Sequence, residues 1–232
     1  MGKQNRRNFL KNTILIGTGT ALAQIPGAGN ERQGTDQEDL SIFEVIHKRR
    51  SVRSYTSTPV PEEHITKILD AARMAPTAGN QQPWKFLVVR DRNKIDELMG
   101  ACILASVNAY KDRQNPSAEE LEKYEAKIKS YLQNIFKAPV FIVVLVDMQS
   151  KWPSYNQFDG PLAAGYLMLA ARALGYGTVF FTDTIPDQVT KQVFGIPDRY
   201  RRICITPVGV PEEWPETPAK KKLEELVITE SF

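Results

Sequence analysis

Two rhythms of hydrophobic and polar positions run along the chain. Val45 and Ile46 follow Ile42 at helical spacing and predict a short helix ending in His47-Lys48-Arg49-Arg50, where basic side chains suit the negative end of the helix dipole. Pro61-Glu62-Glu63 opens a second helix whose apolar stripe is Ile65, Ile68, Leu69 and Ala72, and Ala75-Pro76 stops it. Phe86-Leu87-Val88-Val89 reads as a short buried strand. The pattern then predicts helices over 94–110 and over 118–136, the second heavily charged with Leu121, Tyr124, Ile128, Tyr131 and Leu132 on one side. Residues 139–146 (PVFIVVLV) form a β-branched run suited to a central strand buried on both faces. Asp159 caps an apolar helix over 161–174 with Gly175 after it. A strand over 178–182, a helix over 186–194 and a last strand over 203–208 complete the pattern. Helices interleaved with four short strands predict an α+β or α/β domain, without internal repeats.

Composition narrows this picture. The chain has 232 residues, 42% of them hydrophobic and 25% charged, enough for one domain with a sizeable core and too ordinary for wholesale disorder. Two cysteines, Cys102 and Cys204, exclude a disulfide scaffold, and with only His47 and His64 they argue against a His/Cys zinc site. A net charge of +3 is too small for a nucleic-acid binder.

That charge is uneven. Lys3, Arg6, Arg7 and Lys11 fall in residues 1–23, which hold no acid, leaving 26 basic against 27 acidic residues in the rest. The same stretch has an apolar run, TILIGTGTALA, ending in Ala21-Leu22-Ala23, a small-x-small cleavage pattern. Arg6-Arg7 followed by Phe9-Leu10-Lys11 resembles the twin-arginine class of bacterial export signals. The expectation is an exported, periplasmic protein, with membrane contact only through this segment, as an anchor if it is not cleaved. Residues 24–38 are polar and read as a linker, so the folded domain is expected over 39–232.

Two segments carry candidate chemistry. Arg49, Arg50, Ser51 and Arg53 lie within five residues just past a helix end. A guanidinium is a planar fork that matches phosphate, and a serine hydroxyl adds a directed donor. If the backbone is extended there, residues 49, 51 and 53 share one side. The same pattern also fits a solvated charge run. The second segment, Ala75-Pro76-Thr77-Ala78-Gly79-Asn80-Gln81-Gln82-Pro83-Trp84, is a loop of small residues and amides, able to receive a flat ligand with an imide edge or simply to connect two elements.

Together, and in this order, these segments resemble the FMN-dependent nitroreductase family. The likeness continues through the Ala-rich helix Leu162–Ala171, Leu174-Gly175-Tyr176-Gly177-Thr178, Phe194-Gly195-Ile196-Pro197, Pro207-Val208-Gly209-Val210-Pro211 and Lys220-Lys221-Lys222-Leu223, spanning about residues 40–228. It implies an α+β, three-layer α/β/α fold with a mixed central sheet, in an intertwined homodimer with FMN at the interface.

By resemblance, Arg49, Arg50 and Ser51 stand where the family holds the FMN phosphate and ribityl chain. Arg53 stands where a basic residue reaches the pyrimidine end of the flavin. Pro76, Thr77 and Ala78 stand where the loop packs against the flavin, usually from the partner subunit, with Asn80 and Gln82 at amide positions of that loop. Phe181 and Thr182 lie on a strand that approaches the ring through its backbone. Lys220 falls where an arginine usually meets the phosphate; this chain reads Lys-Lys-Lys-Leu there, leaving open which lysine does so. The resemblance implies ping-pong reduction of a small, aromatic, nitro or quinone-like acceptor, with NADH or NADPH as donor and no protein catalytic residue. A dehalogenase-like member of the family and a non-catalytic FMN-binding or electron-transfer protein stand as alternatives.

Overall fold

The computed structural model describes residues 40–231. The signal-like stretch over 1–23 and the linker over 24–38 lie outside them. Helix α1 (Ile42–Lys48) starts on a reciprocal cap: the Glu44 N–H donates to Ser41 Oγ at 3.3 Å and the Ser41 N–H donates to the Glu44 carboxylate at 2.9 Å. Then follow α2 (Glu62–Ala72), β1 (Trp84–Val89), α3 (Arg92–Gln114), α4 (Ala118–Phe136), β2 (Val140–Asp147), α5 (Asn156–Ala173), α6 (Asp187–Phe194) and β3 (Tyr200–Val208).

Strand β2 is central, antiparallel to β1 on one side and to β3 on the other. Because side chains alternate across a strand, its two sets of residues feed two cores. Phe141, Val143 and Leu145 pack with Ile95, Leu98 and Cys102 of α3 and Leu132, Ile135 and Phe136 of α4. Val140, Ile142 and Val144 pack with Ile65 and Ile68 of α2 and Ala164, Leu167 and Ala171 of α5. Helices thus cover both faces, the three-layer α/β/α arrangement expected from the sequence. A Cβ at Gly160 would lie 2.4 Å from the Ile203 side chain, so α5 approaches the sheet this closely because position 160 has none.

Beyond shifts of a few residues at the ends of other elements, two elements differ from what the sequence predicts. Helix α5 begins at Asn156, so Asp159 lies inside its first turn rather than capping it, and Pro161 sits within the helix. The turn Pro153–Tyr155 runs directly into the helix, and the carbonyl that Pro161 cannot satisfy belongs to Gln157, an exposed residue. The strand expected over 178–182 is a chain of isolated bridges on the outer edge of β3, Gly177–Gly209 and Phe181–Ile205. The pair between them would be Val179–Pro207. Pro207 has no N–H, and the Val179 N–H turns to Thr206 Oγ1 at 3.3 Å, so the ladder is interrupted there. A parallel bridge, Ser51–Thr178, makes the sheet mixed.

Candidate functional site

Helix α1 ends because the chain is drawn onto the sheet edge. Arg49 is already extended (φ −62°, ψ 133°), the Val52 N–H donates to Thr178 O at 3.0 Å, and the Val52 side chain is buried. Alternation then turns Ser51 and Arg53 outward, the condition under which the sequence placed 49, 51 and 53 on one side. They border a cleft of about 540 Å³ lined also by Ile46, His47, Arg50 and, from the C-terminal tail, Pro215 to Pro218 and Lys220. Two basic segments some 170 residues apart in sequence therefore share one cleft. Of the three lysines, Lys220 lines it.

The arginines are not equivalent. Arg50 donates to the carbonyls of His47 at 2.6 Å and Arg49 at 2.7 Å, and to the Thr217 hydroxyl across the cleft. It ties one wall to the other. Arg53 folds back to the Ser51 carbonyl at 3.2 Å through one of its nitrogens. Among the described residues, no hydrogen bond occupies the Arg49 guanidinium or the Ser51 hydroxyl. One acid, Glu216, borders the cleft and moderates its positive field.

Pro76, Thr77, Ala78, Asn80 and Gln82 do not line this cleft; their loop is built against the start of α5. Asp159, buried, accepts the Ala78 N–H at 3.1 Å and the Gln81 amide at 2.6 Å. Gln81 also brackets Trp152, accepting its N–H at 2.8 Å and donating to its carbonyl at 3.1 Å. The amide that anchors the loop is therefore Gln81, which the sequence reading passed over in favour of its neighbours. Asn80 (φ 54°) and exposed Gln82 (φ 47°) both occupy the left-handed region, which turns Gln82 outward. Nothing in two adjacent glutamines reveals which one turns in. The Trp152 ring lies against Gly79, and Lys151 Nζ sits 4.2 Å from its centroid.

Phe181 and Thr182 also lie outside the cleft lining. The Phe181 ring is buried, and its N–H and C=O both pair with Ile205 at 3.1 Å. A trans peptide points its C=O and N–H in opposite directions, so the Thr182 N–H faces away from β3. The Thr182 carbonyl accepts from buried Arg202 at 2.5 Å.

Four further residues depart from simple surface or pairing roles. His64 is half-buried, with Nδ1 2.7 Å from the Tyr176 hydroxyl. Cys102 and Cys204 are free and buried, and burial pushes both thiols up to about 12. Asp147, at the end of β2, receives Arg199 Nε at 2.8 Å, and this bond holds its carboxyl down to about 2, from an ordinary 3.8. A depressed carboxyl contributes stability that is present above its ordinary pKa and lost as pH falls through its folded value. Between pH 4 and about pH 2 wild type should therefore lose more stability than Arg199→Gln, as read from urea midpoints; parallel acid profiles would rule this out.

Sandwiched sheet, outward arginine segment and convergent tail define a class of α/β/α protein with a basic cleft at the sheet edge. Residues 46–210 match the nitroreductase family, and the chain belongs to it. It is 33% identical over 183 residues to a protein assigned as NADH dehydrogenase/NAD(P)H nitroreductase in Methanothermobacter thermautotrophicus, covering 77% of this chain and 81% of that one. Iodotyrosine deiodinase 1 of Rattus norvegicus is 30% identical over 201 residues, covering 81% and 69%. The solved structure of oxidized iodotyrosine deiodinase bound to FMN and 3-iodo-L-tyrosine superposes with a TM-score of 0.66 at 26% identity, over 83% of this chain and 100% of that one.

Proposed function

We propose that this protein is an FMN-dependent oxidoreductase that passes electrons to a small aromatic acceptor, acting as a homodimer after export. The observation that carries the reading is the convergence of Arg49, Ser51, Arg53 and Lys220 on one cleft, with the Arg49 fork and the Ser51 hydroxyl open to an anion. This donor set fits a phosphate. When bound, FMN supplies the redox chemistry. Arg49, Ser51 and Lys220 would hold its phosphate, and Arg53 would place positive charge near the ring and favour the reduced, anionic form.

The dimer is supported by an apolar surface. Phe158, Leu162 and Tyr166 recur every four residues on α5 and are 43–59% exposed, beside exposed Ile42, Phe43 and Ile46 of α1. Such a stripe suits a second copy, whose Pro76–Gln82 loop would then reach the cleft that this chain's own loop does not line. Export rests on residues 1–23. Nicotinamide nucleotides are cytoplasmic, so an exported protein takes electrons from another carrier or is reduced before transport. The deiodinase relatives favour, as a second reading, halide removal from a halogenated aromatic ring.

The full chain should purify yellow and bleach when NADH or NADPH is added without oxygen. A colourless protein that FMN does not reconstitute refutes the flavin reading; a yellow one that no reductant bleaches is a binding protein. Iodide release against loss of a nitroaromatic separates the two acceptor classes. Arg53→Ala should weaken FMN about tenfold and make its reduction potential more negative. If affinity and potential both stay put, Arg53 has no such role.

A further inference from the structure

We infer that Arg172 and Trp214 form a brace that sets the spacing of the two cleft walls and thereby the grip on the flavin phosphate; this rests on the flavin reading above. The tail forming the outer wall has no core of its own, since every residue from 212 to 231 is exposed or only partly covered. Its course is therefore fixed by a few side-chain contacts. At its root the Glu212 N–H donates to Ser54 O at 3.2 Å and the Glu212 carboxylate receives Lys137 at 2.8 Å. At its far end Thr217 meets Arg50, three residues before Lys220. Between these anchors the contact is Trp214, whose ring centroid lies 4.0 Å from the Arg172 guanidinium.

Arg172 is the part that makes this a brace. Its Nε donates to the Lys48 carbonyl at 3.4 Å, the peptide that leads directly into Arg49. One guanidinium in the last turn of α5 thus holds the arginine wall through Lys48 and the tail wall through Trp214. Helix α5 is packed against the sheet through Ala164, Leu167 and Ala171, so the brace stands on a rigid base. A guanidinium over an indole is the strongest side-chain version of this contact, and a smaller aromatic retains part of it. Trp214 does not line the cleft, so it is a positioning residue that acts through Lys220.

Because the tail brings its charge to the phosphate, the brace should matter only for a flavin that has one. FMN and riboflavin share the ring and ribityl chain and differ in that group, which gives a readout that a general structural role would not produce. Full-length protein stripped of flavin is titrated with each. Trp214→Leu should weaken FMN about five- to tenfold and leave riboflavin within about twofold, and Trp214→Phe should restore most of the loss. Arg172→Met, which releases both walls, should do at least as much. Equal weakening of both flavins, or no change in either with both variants, overturns the brace. A wild-type chain that binds neither flavin overturns the flavin reading itself, and the brace with it. If Trp214→Leu does not fold, Arg172→Met against Trp214→Phe carries the same comparison.

Discussion

Arg202→Met should lower the stability of the folded domain by about 3 kcal/mol. The Arg202 side chain is only 4% exposed, and its donors are committed on several sides. One nitrogen donates to Ile185 O at 2.6 Å and to the Thr190 hydroxyl at 3.1 Å, another to Thr182 O at 2.5 Å, and Nε faces the Asp187 carboxylate at 3.2 Å. Methionine fills most of the volume and leaves the carbonyl of buried Ile185 and the hydroxyl of buried Thr190 without this donor, while exposed Thr182 loses its tie to β3. Each buried acceptor stripped of its partner costs about 1–3 kcal/mol. Asp187 reaches water with nearly half its side chain, which keeps the total near the lower end for a broken buried pair. Arg202→Lys should recover little, because an ammonium is a point charge and cannot span these directions at once. Urea unfolding measures the loss; a change below about 1 kcal/mol would show that Arg202 does not hold this region. Amide exchange should quicken first over 182–190, the segment Arg202 ties to β3. Thr182 lies there, so the backbone the resemblance places near the flavin is kept in position by an arginine that the sequence did not single out.

Gly79→Ala should disturb the amide loop by about 3 kcal/mol, from two independent causes. The residue is left-handed (φ 52°, ψ 30°), a conformation in which a Cβ meets its own carbonyl oxygen. That Cβ would also lie 2.0 Å from the Trp152 ring. Trp152 cannot simply withdraw, because Gln81 brackets its N–H and its C=O. The loop must shift instead, and FMN affinity should fall at least tenfold. Gly100→Ala is the control: nothing lies within 4 Å of its Cβ on α3, and a helical alanine there should be neutral or stabilising. Removing the obstacle in the double variant Gly79→Ala, Trp152→Ala should relieve the steric share and leave the backbone share. Unaltered FMN affinity in the single variant would detach this loop from the flavin.

Much of this architecture is written in local pattern. The β-branched run at 139–146 is buried on both faces because helices cover both sides of β2, as such runs require. The α1 helix, the α2 stripe and the charged helix over 118–136 fall where the periodicity put them. Where the reading slipped, a partner distant in sequence decided the outcome. Asp159 has the composition of a cap and serves instead as the buried anchor of Ala78 and Gln81, about eighty residues earlier. The 178–182 strand breaks because of Pro207, which lies in a different element.

The same division runs through the site. By itself, the sequence determined the residue types that a phosphate and a flat ring call for, their order, and the family they belong to, because these are properties of short segments. Only the tertiary structure decided how they are deployed. It gave Arg50 to the cleft walls and left Arg49 and Ser51 open; it chose Lys220 from three adjacent lysines and Gln81 from two glutamines. It also joined α1, α5 and the tail through Arg172. The physical reason is that a hydrogen-bonding side chain has identical local chemistry wherever it sits. Its role follows from which donors and acceptors the packed backbone brings within about 3 Å, and that proximity belongs to the fold as a whole.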